Sequence, residues 1–306
     1  MIAALQDTIR KLKKEKNIAI LAHSYQSTEI LEVADLVGDS FQLSLAARDI
    51  DCDTVILCGV RFMADTVKIL SPEKKVILPV GIATCPMAEQ IGPQRVLRYK
   101  EEHPDHKVVA YINTTTELKA VCDVCVTSST AKKIVDNIDE KDILFIPDYN
   151  LGSYIKKTSP DKNIILWNGM CPTHAAVTER DVEEMRARYP DALLLVHPEC
   201  PPEIVKHADY AGSTSGIVQY ALEVDRDCII GTEISIANYL AMLKPERNFP
   251  VLSKRLICPN MRVTNLADVY KSLTGEGGEE IVLDEALRLA AKKPIDEMIR
   301  LGSMNA

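Results

Sequence analysis

Short apolar runs alternate with charged, amphipathic segments along the chain, and this alternation predicts the elements of the fold. Three apolar runs each end in a polar residue, and they cover 18–23, 108–111 and 193–197. Five further runs lack strict polar alternation, which is typical of strands buried on both faces of a parallel sheet; they cover 55–57, 76–78, 143–146, 164–167 and 228–230. Helices are predicted between the runs, at 5–16, 93–102, 130–138, 178–189 and 235–243. The pattern predicts an α/β architecture of layered helices and strands.

The three runs with polar ends belong to a unit that recurs along the chain. Their last residues are His23, Tyr111 and His197, and a hydroxyl follows each of them after 17 residues, in Ser40, Ser128 and Thr214. A Cys-Pro pair follows each run after 60 to 62 residues, at Cys85, Cys171 and Cys258. Several landmarks at equal spacing indicate an internal repeat.

The repeat predicts three homologous three-layer α/β domains with parallel sheets, covering residues 1–86, 87–172 and 173–259. A tail at 260–306 remains, with a predicted helix at 265–273, a strand at 281–283 and a closing helix at 284–300. We expect the tail to pack back on the repeats. In parallel sheets the ligand crevice lies beyond the carboxyl ends of the strands, where His23, Tyr111 and His197 are expected.

Each repeated cysteine is expected at a corner between a strand and a helix. Proline disfavours helix in the residue before it and suits the first position of a helix. A helix N-terminus favours the thiolate, which is the form that binds metal. Three converging thiolates would select zinc, copper(I) or an iron–sulfur cluster, and a cluster with three protein ligands keeps one iron open as a Lewis acid.

The remaining six cysteines are interpreted as structural. Cys200 also precedes a proline but is out of register with the repeat, and Cys52, Cys58 and Cys228 lie on or near apolar runs. The C-x-x-C motif at 122–125 has no counterpart in the other repeats. Two core cysteines are the preferred interpretation of Cys122 and Cys125, and a redox pair is the alternative.

Composition narrows the class of protein. With 306 residues, 46% of them hydrophobic, the chain can bury a large core. Its apolar runs are shorter than a membrane span, and its polar N-terminus does not indicate export. Nine cysteines, an odd number, favour reduced thiols and hence the cytoplasm. A net charge of −8 argues against a nucleic-acid partner.

Taken together, the motifs of the chain resemble those of the quinolinate synthase family along nearly the whole length. The segments that carry the resemblance include 23–26, 38–40, 62–64, 83–87, 111–113, 126–128, 171–174, 197–200, 213–216, 231–233 and 258–261. The resemblance implies a fold of three similar α/β domains around a pseudo-threefold axis. It also implies an enzyme of NAD biosynthesis that condenses iminoaspartate with dihydroxyacetone phosphate, and a partner enzyme that supplies iminoaspartate.

The resemblance further implies the site residues. One [4Fe-4S] cluster per chain would be held by Cys85, Cys171 and Cys258, with one iron open. The positions that match substrate-binding residues of the family are His23, Ser40, Tyr111, Asn113, Ser128, His197, Glu199 and Thr214. Tyr25, His197 and Glu199 are the candidate catalytic residues, and His174 is expected to support a ligand rather than to be one. Two residues depart from the family pattern, Ser24 in place of asparagine and Arg262 in place of lysine.

Two hypotheses concern chemistry at these positions. Ser40, Ser128 and Thr214 precede predicted helices, so we expect them to bind substrate anions together with helix N-terminal amides. Their interpretation as helix N-caps is compatible with this role, because a cap residue can share its amides with a ligand. His197 and Glu199 are two residues apart and would face one side of an extended strand end, where they could move protons.

Other function classes fit the sequence less well. A cluster-based sensor without turnover stays an alternative, although the polar strand ends favour catalysis. A zinc hydrolase is disfavoured because the chain has no H-E-x-x-H motif. Dinucleotide binding is disfavoured because no G-x-G-x-x-G follows a strand.

Overall fold

The computed structural model describes residues 1–304 and contains alternating helices and strands. The strands are β1 (Ile18–His23), β2 (Leu36–Gly38), β3 (Thr54–Cys58), β4 (Lys75–Leu78), β5 (Lys107–Tyr111), β6 (Val124–Val126), β7 (Asp142–Ile146), β8 (Asn163–Leu166), β9 (Leu193–Val196), β10 (Tyr210–Ala211), β11 (Cys228–Gly231) and β12 (Glu279–Glu280). The helices are α1 (Ile2–Glu15), α2 (Thr28–Leu31), α3 (Ser40–Asp49), α4 (Arg61–Leu70), α5 (Pro93–Glu102), α6 (Thr116–Lys119), α7 (Ala131–Asn137), α8 (Tyr149–Thr158), α9 (Pro172–Ala175), α10 (Glu179–Arg188), α11 (Pro202–Val205), α12 (Thr214–Glu223), α13 (Ile234–Leu243), α14 (Pro259–Arg262), α15 (Leu266–Thr274) and α16 (Glu285–Ser303).

The strands form three sheets with the same order: in each repeat the second strand lies at one edge, the first strand lies beside it, and the third strand follows. The first sheet runs β12-β4-β3-β1-β2, the second β6-β5-β7-β8 and the third β10-β9-β11. All pairings are parallel except that of β12 with β4. In the third sheet, a single parallel bridge between Ile230 and Val251 stands where the other sheets have a fourth strand. The predicted α/β class with parallel sheets is therefore confirmed.

A side-chain clamp also recurs in each sheet and reveals the repeated unit at atomic scale. In each sheet, a backbone amide of the first strand donates a hydrogen bond to the carboxylate of an aspartate fifteen residues later. The pairs are Ile20 with Asp35 (2.8 Å), Val108 with Asp123 (2.8 Å) and Leu194 with Asp209 (2.7 Å). A cation from the preceding helix pairs with the same aspartate; these residues are Lys13 (2.8 Å), Lys100 (2.6 Å) and Arg186 (2.7 Å). In all three repeats, the aspartate before the second strand thus links that strand to the first strand and to the preceding helix.

The chain divides into two compact units. The first unit comprises Met1–Cys85 and Cys258–Arg288, and the second comprises Pro86–Ile257 and Leu289–Ala306. The first sheet lies in the first unit and the other two sheets lie in the second. The predicted ranges 87–172 and 173–259 enclose the strands of the second and third sheets, and 1–86 encloses those of the first sheet except β12. As domain boundaries they stay a prediction.

Within the first unit, α15 packs against α1, and β12 pairs with the edge strand β4. The tail strand was expected at 281–283 but lies at Glu279–Glu280. Ile281 is buried, and its backbone amide still donates a hydrogen bond to the Val76 carbonyl (2.8 Å). Two ion pairs hold this strand, between Arg61 and Glu279 (2.6 Å) and between Lys75 and Glu280 (3.4 Å).

Both faces of the parallel strands are covered, as the continuous apolar runs predicted. β1, β3, β5 and β7 are buried along nearly their whole length, and a cluster around Leu194, Val196 and Ile229 fills one face of the third sheet. Among residues 1–304, no helix combines the length and the apolar character that crossing a membrane requires.

Candidate active site

Three candidate residues of the first unit lie at the carboxyl edge of the first sheet. His23 is the last residue of β1 and is 6% exposed, and its register partner is Gly38 at the end of β2. Its Nδ1 accepts a hydrogen bond from the Tyr25 backbone amide (3.0 Å), and the two rings meet edge to face at 4.5 Å. Ser40 follows β2 and opens α3. The sheet thus brings His23, Tyr25 and Ser40 to one edge.

Two cysteines of the repeat belong to the same unit. Cys258 is the N-cap of α14, with an extended backbone, while Cys85 follows β4 and leads into a turn rather than a helix. The expected corner between strand and helix is therefore wrong for Cys85. Buried Gln26 donates a hydrogen bond from Nε2 to the carbonyl oxygen of Met261 (2.8 Å). This contact fixes the helix of Cys258 to the turn that follows His23.

In the second unit, candidate residues follow the strands of both sheets. Tyr111 ends β5, and Asn113 lies two residues beyond it. Ser128 lies in the turn after β6, and Thr214 is the first residue of α12. The expectation that the repeated hydroxyls act as helix caps is wrong. The caps of α3, α7 and α12 are their neighbours Asp39, Thr130 and Ser213, so Ser40, Ser128 and Thr214 do not fill that role.

Buried polar groups of the second unit converge on Glu199, which is 5% exposed. Tyr111 donates from its hydroxyl to Glu199 Oε1 (2.7 Å), and His174 Nδ1 lies 2.8 Å from Oε2. Asn150 donates from Nδ2 to the backbone carbonyl of Glu199 (2.9 Å), and the Glu199 amide donates to His197 Nδ1 (3.2 Å). The structure therefore brings Tyr111, His197 and Glu199 together, with His174 among them.

The sequence predicted that His197 and Glu199 lie on an extended strand end, but they lie beyond the strand. β9 ends at Val196, and the Cys200 amide donates to the His197 carbonyl (2.9 Å), which closes a turn. The hydrogen bond from the Glu199 backbone amide to His197 Nδ1 holds both residues in this turn. Their proximity was predicted, but the turn rather than the strand produces it.

Burial and neighbouring charges set the protonation of these groups. Burial lowers the pKa of His197 to about 4, so the imidazole is neutral at pH 7. Burial alone would raise the pKa of Glu199, but His174, His197 and the Tyr111 hydroxyl outweigh it, and the net shift is downward. Burial and the nearby charge of Glu199 raise the pKa of Asp148.

Cys171 is the N-cap of α9 and is bound on two sides. Its backbone amide donates to Asp148 Oδ2 (3.0 Å), and its Sγ lies 3.3 Å from His174 Nδ1. His174 Nε2 contacts the Thr232 hydroxyl at 3.0 Å. One ligand atom each of Cys171, His174 and Glu199 lies within 4.8 Å of the others. Sulfur, nitrogen and oxygen donors in this arrangement can hold a metal ion.

Solvent exposure separates the nine cysteines into two groups. Cys85, Cys171 and Cys258 are partly exposed, and the other six are buried; these are Cys52, Cys58, Cys122, Cys125, Cys200 and Cys228. Burial raises the pKa of Cys58 and of Cys125 to about 12, and it raises the pKa values of Cys122, Cys200 and Cys228 as well. The donor chemistry of an iron–sulfur cluster fits the exposed group, because thiolates are its ligands.

Sequence reasoning missed Asp148, Asn150 and Thr232 as parts of this network. Asp148 follows β7 after a single proline, so the rule that polar residues at parallel strand ends line a site could have found it. Thr232 directly follows β11 and satisfies the same rule. Asn150 carried no such signal, because it lies inside α8.

Comparisons with known proteins support one family. A family model described as "Quinolinate synthetase A protein" matches residues 7–300. The quinolinate synthase of Alkaliphilus metalliredigens is 47% identical over 296 residues, which cover 96% of this chain and 97% of that protein. That of Clostridioides difficile is 47% identical over 283 residues, covering 92% and 93%. That of Thermodesulfovibrio yellowstonii is 41% identical over 304 residues, covering 99% and 100%.

Proposed function

Because the chain belongs to the quinolinate synthetase A family, we propose that it condenses iminoaspartate with dihydroxyacetone phosphate to quinolinate, with loss of phosphate and water. The chain is an enzyme of NAD biosynthesis by family, and the proposal concerns its substrates and cofactor. A separate enzyme that supplies iminoaspartate is its functional partner, and the cytoplasm is the compartment in which its thiols stay reduced.

The proposed cofactor is one [4Fe-4S] cluster held by Cys85, Cys171 and Cys258. The observation that carries this proposal is the exposure of the cysteines, since the three thiols that the repeat selects are the partly exposed ones. Cys171 and Cys258 are also the N-caps of the short helices α9 and α14. When bound, a cluster with three protein ligands supplies an open iron that acts as a Lewis acid on a hydroxyl or carboxylate of the substrate.

The proposed proton-transfer groups are Glu199 and His197, with Tyr25 as a third candidate at the edge of the first sheet. Glu199 is a buried carboxylate that His174 and Tyr111 hold by its two oxygens. The ring of His197 is fixed by the Glu199 amide. Groups that are held in this way lose little entropy on reaching the transition state, so their positions favour proton transfer to and from a bound substrate.

The proposed anion-binding groups are Ser40, Ser128 and Thr214. Ser40 and Thr214 each occupy the first position of a ten-residue helix, where backbone amides point outward and favour anions. Since neighbouring residues cap these helices, the hydroxyls need not serve that purpose. His23, Tyr111 and Asn113 complete the proposed substrate-binding set. Both substrates are anions and the chain carries a net charge of −8, so local groups must provide the attraction.

The test is anaerobic purification followed by iron analysis and an assay for quinolinate. We expect about four irons per chain, and quinolinate formation from iminoaspartate and dihydroxyacetone phosphate. Cys85→Ser, Cys171→Ser and Cys258→Ser should each lose most of the iron and all activity. Cys200→Ser is the matched control, because Cys200 also precedes proline but is buried, and this variant should keep both. A coloured wild-type protein without turnover would instead favour a sensor.

A further inference from the structure

The triad of Cys171, His174 and Glu199 has the chemistry of a zinc site. We propose that the chain without its cluster binds one zinc ion through Cys171 Sγ, His174 Nδ1 and a Glu199 carboxylate oxygen. The three ligand atoms lie within 4.8 Å of one another. His174 and Glu199 are buried, with 2% and 5% of their surface exposed to solvent. All three residues belong to the second compact unit.

The donor set selects the class of metal. Zinc accepts thiolate, imidazole and carboxylate ligands together, whereas magnesium and calcium require oxygen ligands. Three protein ligands leave the fourth tetrahedral position of zinc to water or another small ligand. The triad therefore fits a thiophilic divalent ion rather than a hard one.

Two of the three distances within the triad are close to those of a zinc site, and the third, from Sγ to the carboxylate, is within 4.8 Å. In tetrahedral zinc coordination, a thiolate sulfur and an imidazole nitrogen lie about 3.5 Å apart, and imidazole nitrogen and carboxylate oxygen lie about 3.4 Å apart. The corresponding separations here are 3.3 Å for Sγ to Nδ1 and 2.8 Å for Nδ1 to Oε2. The ion would take the place of the proton between Nδ1 and Oε2, a neutral His174 ring would carry its proton on Nε2 instead, and the Cys171 thiol proton would be released to solvent.

The atoms of the triad that would not bind metal already have partners. His174 Nε2 contacts the Thr232 hydroxyl at 3.0 Å, which suits a ring that donates from Nε2 and coordinates through Nδ1. Glu199 Oε1 accepts from Tyr111 (2.7 Å), and the Cys171 amide is bound by Asp148 (3.0 Å). Such outer hydrogen bonds orient the ligands of metal sites and raise their affinity.

Zinc occupancy would have a consequence for cofactor loading. Cys171 cannot serve zinc and a cluster at the same time, so bound zinc would exclude the cluster. This consequence rests on the proposed function, whereas the zinc site itself does not.

The experiment uses the full-length chain, freed of iron by a chelator under anaerobic and reducing conditions. Cobalt(II) serves as a coloured probe, and zinc competes it off. We expect one equivalent of cobalt to bind with tetrahedral absorption bands and the charge-transfer intensity of one thiolate. Glu199→Gln and His174→Ala should weaken binding at least tenfold, and Thr232→Val should weaken it about 10- to 100-fold. His207→Ala is the matched control, because His207 is exposed and pairs with Glu179 on the surface.

A second variant separates this site from a site made of the three repeated cysteines. The double variant Cys85→Ser/Cys258→Ser should bind cobalt with unchanged affinity if the triad is the site. The proposal is overturned if this double variant loses cobalt, or if Glu199→Gln, which preserves the side-chain shape, binds as tightly as the wild type.

Preloaded zinc should also slow reconstitution with iron and sulfide at least tenfold in the wild type. If zinc binds at the triad but reconstitution is unaffected, Cys171 is not shared. That result would count against the proposed cluster ligands while it leaves the zinc site standing.

Discussion

At the scale of single residues, Glu199 is the centre of the second unit's polar network. A carboxylate that is 5% exposed is costly to bury unless its oxygens are hydrogen-bonded. Tyr111 and His174 hold its two oxygens, and Asn150 holds its backbone carbonyl. The fold keeps this group in place with residues from three different elements, which is typical of a functional site rather than of a core.

The hydroxyl of Tyr111 gives the first prediction. Tyr111→Phe removes one hydrogen bond to a buried charged group, an interaction worth about 1.5–3 kcal/mol. We expect kcat/KM for quinolinate formation to fall by about 10- to 100-fold, with the cluster content unchanged. Tyr154→Phe is the control, because its hydroxyl makes a long bond (3.3 Å) to the Ala211 carbonyl in the same unit. Equal kinetics for wild type and Tyr111→Phe would contradict the role of this bond.

Cysteine reactivity gives the second prediction. A thiol with a pKa near 12, such as Cys58 or Cys125, carries about one thiolate in ten thousand molecules at pH 8, and only the thiolate is alkylated. We expect iodoacetamide to label Cys85, Cys171 and Cys258 in the native, cluster-free chain and to leave the six buried thiols unmodified. Peptide mass spectrometry of native and urea-unfolded samples measures this. Rapid native labelling at Cys122 or Cys125 would instead support the redox alternative.

The residues of the site were predictable to different degrees. Equal spacing and the strand-end rule can both be applied to a single sequence. Spacing selected Cys85, Cys171 and Cys258, and the strand-end rule selected His23, Tyr111 and His197. Asn150 could not be found, since its contact with Glu199 depends on how α8 packs against a turn almost fifty residues away in the chain.

At the scale of elements, the apolar runs predicted the strands well because buried parallel strands leave a continuous signal. The observed strands Ile18–His23 and Leu193–Val196 differ from the predicted ranges by at most one residue. The recurring aspartate clamp was missed, although its spacing is regular. A single aspartate before a short strand is common, and only the hydrogen bond to the first strand distinguishes Asp35, Asp123 and Asp209.

The turn before β12 gives the third prediction. Gly278 has φ +86°, and an added Cβ would lie 2.6 Å from Ile77 Cγ2 in β4. Gly278→Ala therefore combines backbone strain with a clash and should cost about 2–5 kcal/mol. Gly275→Ala is the control, because Gly275 has φ +80° but open space around it, so it should cost only about 1–2 kcal/mol. Urea unfolding measures both, and equal midpoints for the two variants would show that β12 does not constrain β4.

At the scale of the whole molecule, the repeat in sequence and the compact unit in space do not coincide at the first copy. The repeat predicts a unit that ends at residue 86, whereas the first compact unit also needs residues 258–288. The tail contributes buried side chains to this unit, among them Leu266, Val269, Leu273 and Ile281. Sequence periodicity detects duplicated segments, but it does not reveal which later segment completes a core.

This difference gives the last prediction, which concerns two fragments. Burying one large apolar side chain contributes about 1.5–3 kcal/mol, so the four tail residues contribute about 6–12 kcal/mol. That range is similar to the whole stability of a typical domain, about 5–15 kcal/mol. We expect a fragment of residues 1–85 not to fold. We expect a second fragment, in which residues 258–288 are joined by a flexible linker to the start of residues 1–85, to fold cooperatively.

Amide hydrogen exchange distinguishes the outcomes. In the linked fragment, the amides of β1 and β3 should be protected, because these strands lie in the centre of the sheet. The same amides in residues 1–85 alone should exchange at the rates of an unfolded chain. A matched linked fragment with Val269→Asp and Leu273→Asp controls for chain length, and it should behave like residues 1–85. Protection of β1 in the short fragment would mean that the first repeat folds by itself, and that the tail only covers a core that already exists.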